Sequence, residues 1–445
     1  MNDDFVSGSM FKACGLNEEV LSQMARDTGF CQRASGKISV SDLLEHFCEE
    51  AVKGTVSYND LAGKIQTATG VSVSRQAYWE RMKESTCVAF FKEVLARCMF
   101  LKFDAQEISQ LKSCGLFTRI LIQDSTIIKL PTRLFEAFSG VKNAHTTTCN
   151  ARIQGVYNLC SGQFISFSVD PYSKNDVSVA HDIQAQPGDL LLRDRGYFLI
   201  DLIGEFKEKG IDTISRYKHI TTLYDAQTRQ EINLLDTLTR RRAIDQVFLA
   251  GSKMKVRVRL LAVPVKEEIA NLRRMKAKRE NNHAPSEELL RLMSWSIFIV
   301  TIETPALTIQ HIMTLYGLRW RIENIFKTWK SNFNFGKLHN VSANQLHILL
   351  TARLIVISLC YYRAFVPLCF EILTRSNRQL SLMKFMHYVG KNLALFPEML
   401  NRQQWTSRLL DTLARYCTYD KRKRRHFSAH MNSIIAELSA IPPIA

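Results

Sequence analysis

The stretch YGLRWRIENIFKTWK, residues 316–330, carries the most information about the fold of this 445-residue chain. Its apolar residues recur at helical spacing and predict an amphipathic helix over about 308–333. At about 100° per residue, four polar side chains fall in one sector of about 60° beside the apolar stripe. These are Tyr316, Arg319, Glu323 and Lys330. Such a helix packs its apolar stripe and presents one carboxylate among cations and a phenol, although a solvated face with weak intrahelical ion pairs is the alternative.

Away from this helix, the hydrophobic pattern of the sequence changes twice. Helical spacing dominates up to about residue 115 and again from about residue 340, whereas the residues between contain short apolar runs typical of strands. The runs are RILIQDSTIIKL (119–130), ARIQGVYNL (151–159), QFISFSVD (163–170), DLLLRD (189–194) and SWSIFIVTI (294–302). A sheet that is closed by the helix at 308–333 predicts a mixed α/β core between two helical regions.

Charge and composition restrict the functional class. Lys and Arg number 59 against 42 Asp and Glu, and this net charge of +17 suits a polyanionic partner. The excess is uneven, since residues 1–60 carry five basic and ten acidic side chains and residues 240–279 carry thirteen basic and three acidic. Without a secretory signal or a run of about 18 apolar residues, we expect a soluble protein that contacts no membrane. Eleven cysteines without a CxxC pair indicate buried free thiols rather than a disulfide framework or a zinc site.

The pattern Y-x2-R-x3-E-x6-K resembles the signature of one family of cut-and-paste DDE transposases, family four of the bacterial insertion sequences. Two further segments resemble the aspartate motifs of that family: Gln123-Asp124-Ser125-Thr126 and Asp194-Arg195-Gly196-Tyr197, each at the end of an apolar strand. The order Asp, Asp, Glu and the strand-bearing insertion before the Glu are also those of the family, and the matching motifs span about 120–333. The resemblance implies a core like that of ribonuclease H, in which Asp124, Asp194 and Glu323 are the catalytic residues and the metal ligands.

Phosphoryl transfer on DNA explains why three acids are needed. In-line cleavage requires neutralisation of the attacking and leaving oxygens, which two divalent cations about 3.5–4 Å apart supply. Mg²⁺ prefers carboxylate oxygens with water completing its shell, and Mn²⁺ can substitute for it. One acid that bridges both ions, with one further acid for each, is sufficient. A single Asp at a strand end is more often a turn residue or a helix cap, which is how we interpret Asp189 after Pro187-Gly188.

The resemblance also implies contacts with DNA. Tyr316, Arg319 and Lys330 would hold phosphates of the transposon end, and an Arg fork holds a phosphate with two hydrogen bonds. Arg216 and Lys218 occupy a position at which similar enzymes contact the terminal strand. A surface charge at the end of a strand is the alternative for these two residues.

Two strand features add further DNA contacts. In similar enzymes a Trp at the place of Trp295 stacks on a base that is flipped out when the DNA end forms a hairpin, and an ordinary core Trp is the alternative. Lys253, Lys255, Arg257 and Arg259 alternate with apolar residues, which on a strand places four cations on one face with no acid nearby. Because like charges in register repel, we prefer a phosphate backbone opposite them to a merely solvated face.

Residues 58–83 predict a helix-turn-helix. A first helix is followed by Gly70 at the turn, and Ser74 is placed to cap a second helix. The second helix would present to bases or phosphates the side chains of Arg75, Gln76, Tyr78, Arg81 and Lys83. A purely structural helical hairpin is the alternative. The run Lys421–Arg425 is interpreted as a DNA-contacting or simply solvated segment.

We therefore expect a Mg²⁺-dependent transposase that binds the inverted repeats of its element, cleaves through a hairpin and joins the freed end to target DNA. It would act as a homodimer in the synaptic complex, in the bacterial cytoplasm at the nucleoid. The alternatives are a ribonuclease-H-like DNA nuclease without strand transfer and a non-catalytic DNA-binding descendant of a transposase. The expected domains are a helical DNA-binding domain (1–115), the first part of the catalytic core (116–225), a basic strand-bearing insertion (226–290), the closing strand and helix of the core (291–335) and a helical region with a candidate dimerisation surface (336–445).

Overall fold

The computed structural model describes residues 9–32, 37–99, 116–142, 147–240, 243–280, 284–419, 433–434, 436–438 and 440. The basic run Lys421–Arg425 lies outside these residues. The strands are β1 (Arg119–Leu130), β2 (Gly140–Lys142), β3 (Thr147–Asn158), β4 (Gln163–Pro171), β5 (Asp189–Arg193), β6 (Asp212–Arg216), β7 (Leu223–Asp225), β8 (Glu231–Ile232), β9 (Ile244–Ala250), β10 (Val256–Pro264) and β11 (Trp295–Val300).

Helices occupy both ends of the chain and connect the strands. The helices are α1 (Glu18–Asp27), α2 (Val40–Lys53), α3 (Tyr58–Thr69), α4 (Arg75–Arg81), α5 (Ser85–Met99), α6 (Phe135–Phe138), α7 (Ile200–Glu208), α8 (Leu234–Thr239), α9 (Glu267–Glu280), α10 (Glu287–Leu292), α11 (Ile309–Leu318), α12 (Trp320–Asn332), α13 (Ala343–Leu359), α14 (Val366–Ser376), α15 (Leu382–Lys391), α16 (Phe396–Leu400) and α17 (Ser407–Tyr416). A π-helical turn, Cys360–Phe365, joins α13 to α14.

The strands of the described residues form one mixed sheet. Their order is β2-β3-β1-β5-β6-β11-β10-β9-β7-β8. Strand β4 pairs with β3 over residues 151–158, next to the short stretch of β3 that pairs with β2. The pairs β1–β5 and β5–β6 are parallel, whereas the other pairs are antiparallel. The strands of residues 226–290 therefore extend the same sheet beyond β11. The predicted mixed α/β arrangement between two helical regions is confirmed.

Strand β1 spans the whole predicted run, residues 119–130, so Asp124 lies inside it rather than at its end. The antiparallel partner β3 pairs with β1 as far as Leu130, opposite Cys149. The parallel partner β5 is shorter, and its last residue, Arg193, lies beside Gln123. Asp124 therefore lies where the parallel pairing on one side of β1 stops while the antiparallel pairing on the other side continues.

The predicted helix over 308–333 is present as two helices, α11 and α12, that meet at Arg319. Thr308 caps α11 by accepting a hydrogen bond from the backbone N–H of His311. The apolar stripe is buried as predicted and packs against the sheet, and it includes Leu315, Leu318, Ile322, Ile325, Phe326 and Trp329. Burial of this stripe aims the adjacent polar sector at the carboxyl ends of β1 and β5.

The two terminal helical regions share one apolar core with the sheet. Helix α13 packs against α2 and α5, and one cluster of buried apolar residues runs from Met10 to Leu438. Arg353 on α13 is fully buried and donates to the carbonyls of Ala51 and Phe335, among others. Because buried donors must find acceptors, this arginine ties the first helical region to α13.

One stretch in the described part of the chain, Ala343–Ser376, is long and apolar enough to cross a membrane by length and composition. Of its most apolar window, 72% is buried inside the protein, as in the core helix of a globular fold. Among the cysteines of the described residues, nine are free and eight of these are buried, in agreement with the expected thiols. Cys160 is disulfide-bonded, which the spacing of the cysteines did not predict.

Candidate active site

The register of the sheet brings Asp124 and Asp194 together. In the parallel pair β1–β5, Ile122 lies beside Leu192 and Gln123 beside Arg193. Asp124 follows Gln123 in β1, and Asp194 follows Arg193 directly after β5. Asp194 precedes a short 3₁₀ turn, Arg195–Tyr197. Because the carboxyl ends of parallel neighbours meet at one edge, two acids that are 70 residues apart in sequence become neighbours.

Glu323 lies on α12, and Arg319 links it to Asp124 of this pair. The Arg319 guanidinium lies 2.7 Å from Glu323 Oε1 through one terminal nitrogen and 3.3 Å from Asp124 Oδ2 through the other. Helical spacing alone places Arg319 and Glu323 one turn apart, but only the packing of α12 on the sheet adds Asp124. Arg319 is 7% exposed, so the bridge is shielded from solvent.

The surroundings of Asp124 disfavour the charged form of its carboxyl group. Burial raises its pKa to about 7, and the neighbouring carboxylates Glu323 and Asp194 contribute to the rise. The backbone N–H of Ser125, 2.8 Å from Asp124 Oδ1, and the charge of Arg319 act in the opposite direction. A buried acid with two acidic neighbours is an environment in which added positive charge is stabilising.

Within the described residues, no three His, Cys, Asp or Glu side chains are close enough together to hold one metal ion jointly. Arg319 lies between two of the three predicted acids, and it links them through its two terminal nitrogens. Carboxylates are the ligand type that hard divalent cations prefer, so the chemistry of the donors fits such ions. Asp124 is therefore a neighbour of Asp194 across the strands and is linked to Glu323 through Arg319, but the three acids do not form one preformed metal site.

Tyr316 and Lys330 flank this arrangement on the same helical sector. Tyr316 is 6% exposed, and its ring packs on Phe298, with the centroids 5.2 Å apart. Burial raises the pKa of its phenol. Lys330 donates a hydrogen bond of 2.7 Å to the backbone carbonyl of Ile127 on β1. The four residues of the predicted sector therefore lie over one face of the sheet, but Tyr316 packs on β11 and is largely a packing residue.

Arg216, at the end of β6, joins the same layer. Its guanidinium lies 5.0 Å from the ring centroid of Phe298 and 5.5 Å from that of Tyr316. Burial lowers its pKa, although the neighbouring Tyr316 and Asp194 favour the charged form. Lys218, two residues beyond the end of β6, is partly exposed. The structure thus brings Arg216, but not Lys218, into contact with the residues around the acids.

Trp295 is the first residue of β11 and is partly buried. It packs against a second apolar cluster that includes Leu292 and Ile297, so part of its ring belongs to the core. Its backbone carbonyl accepts a hydrogen bond of 3.0 Å from Arg273 on α9. The rest of the indole is exposed to solvent, and its stacking on a flipped base stays a prediction.

The predicted face of four cations is wrong in its geometry. Strand β10 begins at Val256, and Lys253 and Lys255 lie in the preceding turn, where Lys255 has a positive φ of 47°. A turn breaks the alternation that would have placed them on the same face as Arg257 and Arg259. Lys255 instead lies over the ring of Tyr224, 4.5 Å from its centroid.

The expectation that no acid lies near these cations is also wrong. Arg259 is 5% exposed and donates to both carboxylate oxygens of Asp245 on β9, over 2.6 and 2.7 Å. It also donates to the carbonyls of Thr304 and Leu307. Arg257 pairs with Glu303 just beyond β11, over 2.9 Å. Both acids are distant in sequence and become neighbours only through strand pairing.

The helix-turn-helix predicted at 58–83 is present as α3 and α4. Gly70 has the positive φ, 73°, that ends α3, and the Ser74 side chain accepts from the N–H of Ala77 to cap α4. Arg75 and Gln76 are exposed as predicted. The prediction that Tyr78 is exposed is wrong: it is 3% exposed because it shares a face with the fully buried Met82, one turn later.

Arg81 and Lys83 are already engaged within the protein. The Arg81 guanidinium donates to the carbonyl of Phe30 over 3.3 Å and lies 4.7 Å from the centroid of its ring. The Lys83 ammonium lies over the ring of Trp79. Of the side chains assigned to the second helix, Arg75 and Gln76 remain exposed, although Gln76 donates to Glu80 of the same helix over 2.8 Å.

Sequence reasoning missed a polar cluster behind the acids. The Ser125 hydroxyl, directly after Asp124, donates to Asp176 Oδ1 over 2.8 Å, and Arg152 donates to the same oxygen over 3.1 Å. By sequence, Asp176 is an ordinary aspartate in a segment of turn-forming residues, next to Asn175. No local signal marks it, since its partners lie on two other elements.

The chain is similar in sequence to known proteins. Residues 115–359 match the family described as Transposase DDE domain. The transposase for insertion sequence element IS231C of Bacillus thuringiensis subsp. berliner is 26% identical, over 96% of this chain and 93% of its own length. The transposase for IS231D of Bacillus thuringiensis subsp. finitimus is 27% identical, over 87% and 85%, and that for IS1151 of Clostridium perfringens is 26% identical, over 80% and 79%.

The family match includes Asp124, Asp194 and Glu323 and the helix that carries the Y-x2-R-x3-E-x6-K pattern. Proteins of this family are DNA-cleaving and strand-transferring enzymes, which generally use divalent metal ions. The chain belongs to the DDE transposases of bacterial insertion sequences.

Proposed function

We propose that this transposase cleaves DNA at the ends of its insertion sequence and joins those ends to target DNA, with Asp124, Asp194 and Glu323 as its catalytic residues. The observation that carries the proposal is the convergence of these acids. Sheet register makes Asp124 and Asp194 neighbours, and Arg319 links Asp124 to Glu323 from the helix that crosses them. Its core would be of the ribonuclease H type.

Two Mg²⁺ ions, for which Mn²⁺ can substitute, would be held by these acids. Asp124, Asp194 and Glu323 would together supply the carboxylate ligands of these ions. The ions supply charge neutralisation at the attacking and leaving oxygens of the phosphate. The raised pKa of Asp124 supports this assignment, because a carboxyl that burial and two acids make hard to ionise is stabilised by a cation.

Arg319 would have two roles in this scheme. It pairs with Asp124 and Glu323, and its planar fork would also suit a phosphate beside them. Tyr316, Lys330, Arg216 and Lys218 would contact the backbone of the transposon end. Lys330 is held against β1 by the carbonyl of Ile127, three residues after Asp124.

The route through a hairpin belongs to the proposal. A first nick would release a 3′-hydroxyl that attacks the opposite strand, and water would then open the resulting hairpin. The partly exposed ring of Trp295 would stack on the base that leaves the helix, since an aromatic surface offsets part of the cost of unstacking. Arg75 and Gln76 on α4 would read the inverted repeat, and two protomers would pair the two ends at the bacterial nucleoid.

The experiment is cleavage of a duplex carrying the transposon end by wild-type protein and by Asp124→Ala, Asp194→Ala and Glu323→Ala. Each substitution should lower the cleavage rate by ~10³-fold or more, because several kcal/mol of charge stabilisation are lost. Binding to the end at low salt should change little. The matched control is Asp236→Ala, which removes an exposed acid at the start of α8.

Substantial cleavage by any of the three variants would remove that residue from the proposed centre. A duplex that is nicked but never joined to target DNA, with all three acids required, would favour a nuclease without strand transfer. Both outcomes are read on the same gel from the lengths of the products.

A further inference from the structure

The segment between β4 and β5, residues 172–188, covers the face of the sheet opposite to α12. Side chains alternate along β1, so Asp124 faces α12 and its neighbours Gln123 and Ser125 face the other side. There Val179 and Ala180, 2% and 0% exposed, pack in an apolar cluster that is separate from the core under α12. We call residues 172–188 the back loop, since it lies behind the acids.

The back loop is tied to the residue directly before each aspartate. Gln123 donates from Nε2 to the carbonyl of Val179 over 3.2 Å, and Arg193 donates to the carbonyl of Ala180 over 2.8 Å. Gln123 and Arg193 are themselves register partners in the sheet. Two consecutive carbonyls of one loop thus hold the strands β1 and β5 at the level of their acids.

Asp176 of the back loop contacts the residues that follow each aspartate. Its Oδ1 accepts from the hydroxyl of Ser125 over 2.8 Å and from Arg152 over 3.1 Å. Its Oδ2 lies so close to Gly196 that a Cβ there would be only 2.7 Å away. One carboxylate therefore touches the residue after Asp124 and the residue two after Asp194.

We propose that Asp176 is a positioning residue that sets the separation of Asp124 and Asp194 from behind, and thereby the affinity of the site for divalent cations. This inference rests on the proposed function of the two aspartates. A centre for two ions needs its carboxylates placed to within about 0.5 Å. Outer contacts that orient metal-binding carboxylates change metal affinity by about 10- to 100-fold when they are removed.

The test is Mn²⁺ binding by the full-length chain, measured from free Mn²⁺ by electron paramagnetic resonance. Asp176→Ala should weaken Mn²⁺ binding by about 10- to 100-fold. Asp176→Asn should weaken it less, because an amide keeps the size and an acceptor for Ser125 but loses the ion pair with Arg152. The control is Asp182→Ala, which removes an acid of the same loop that is 57% exposed and pairs with Lys174 over 3.2 Å. Its Mn²⁺ affinity should equal that of the wild type.

A second variant pair tests the contact with Gly196. The backbone at Gly196 is outside the left-handed region, and the atoms nearest to an added Cβ belong to Asp176, with Oδ2 at 2.7 Å and Cβ at 3.3 Å. Gly196→Ala should weaken Mn²⁺ binding, whereas adding it to Asp176→Ala should cause little further loss, because the oxygen that lies nearest is gone. A purely structural role for Asp176 would lower the melting temperature and leave the Mn²⁺ affinity of the folded fraction unchanged.

Mn²⁺ affinity within about twofold of wild type in both Asp176 variants would overturn the inference. So would an equal loss in Asp182→Ala. If Asp124→Ala abolishes Mn²⁺ binding while Asp176→Ala does not affect it, only the positioning role fails. Mn²⁺ binding that survives Asp124→Ala would overturn the proposed function together with this inference.

Discussion

Two basic segments of this chain, residues 253–259 and the helical sector from Tyr316 to Lys330, look equally suited to DNA in the sequence and differ in the structure. In the first, Arg259 and Arg257 are neutralised by Asp245 and Glu303. In the second, Arg319 faces Asp124 and Glu323, at an edge of the sheet that also holds Asp194. The first set of contacts supports the fold, and the second forms the candidate active site.

The difference shows what a charge pattern does and does not determine. The spacing on α12 fixes which side chains share a face, because helical geometry is local. The spacing along β10 does the same for its own residues, but the charge opposite them comes from neighbouring strands. A buried arginine whose donors are taken up by a carboxylate and by backbone carbonyls, like Arg259, is a structural element. An arginine between acids of a catalytic centre can exchange partners when a substrate binds.

The largest effect is expected for Arg319→Ala. Loss of the guanidinium should lower the rate of end cleavage by ~10²- to 10³-fold, as for removal of one charge-stabilising donor. Arg319→Lys should recover only part of this, because an ammonium lacks the fork that reaches two acids or a phosphate. Single-turnover cleavage by the folded protein is the measurement. A normal rate would show that this arginine is structural, like Arg259.

A smaller effect, on stability alone, is expected for Arg259→Ala. The variant breaks a pair with Asp245 and removes one hydrogen-bond donor from each of the carbonyls of Thr304 and Leu307. Because Arg259 is buried and Asp245 is partly exposed, we expect a loss of about 3 kcal/mol in the free energy of unfolding. Urea denaturation measures this. Cleavage by the folded fraction should match the wild type, and a selective loss of DNA binding would contradict the comparison.

The smallest effect is expected for the double variant Lys255→Ala, Arg257→Ala. Arg257 is paired with Glu303 and Lys255 lies over Tyr224, so neither is a free phosphate contact. The slope of log affinity for DNA against log salt concentration should therefore change by less than about one. A slope reduced by about two would restore both residues to the DNA-binding surface. Lys330→Ala, on the other segment, is the comparison variant.

Much of the fold followed from local patterns. Apolar runs predicted β1, β3, β4, β5 and β11, and the caps at Ser74 and Gly70 predicted the boundaries of α3 and α4. The buried stripe of α12 also followed, because it depends on the 3.6-residue period of a helix alone. The burial of Tyr78 did not follow, since a short helix offers several faces and only the packing of Met82 selects one.

The sequence by itself determined which residues are available for chemistry: the two aspartate motifs and the Tyr-Arg-Glu-Lys pattern on one helical face. The shared face of the helix rests on neighbours within one or two turns, where geometry is fixed by the backbone, whereas the two aspartate motifs rest on the resemblance to the family. Only the tertiary structure decided which charges meet. The parallel register placed Asp194 beside Asp124, antiparallel pairing gave Arg259 its Asp245, and the back loop put Asp176 behind the acids. Electrostatic partners depend on distances across elements, and the linear order of residues does not contain those distances.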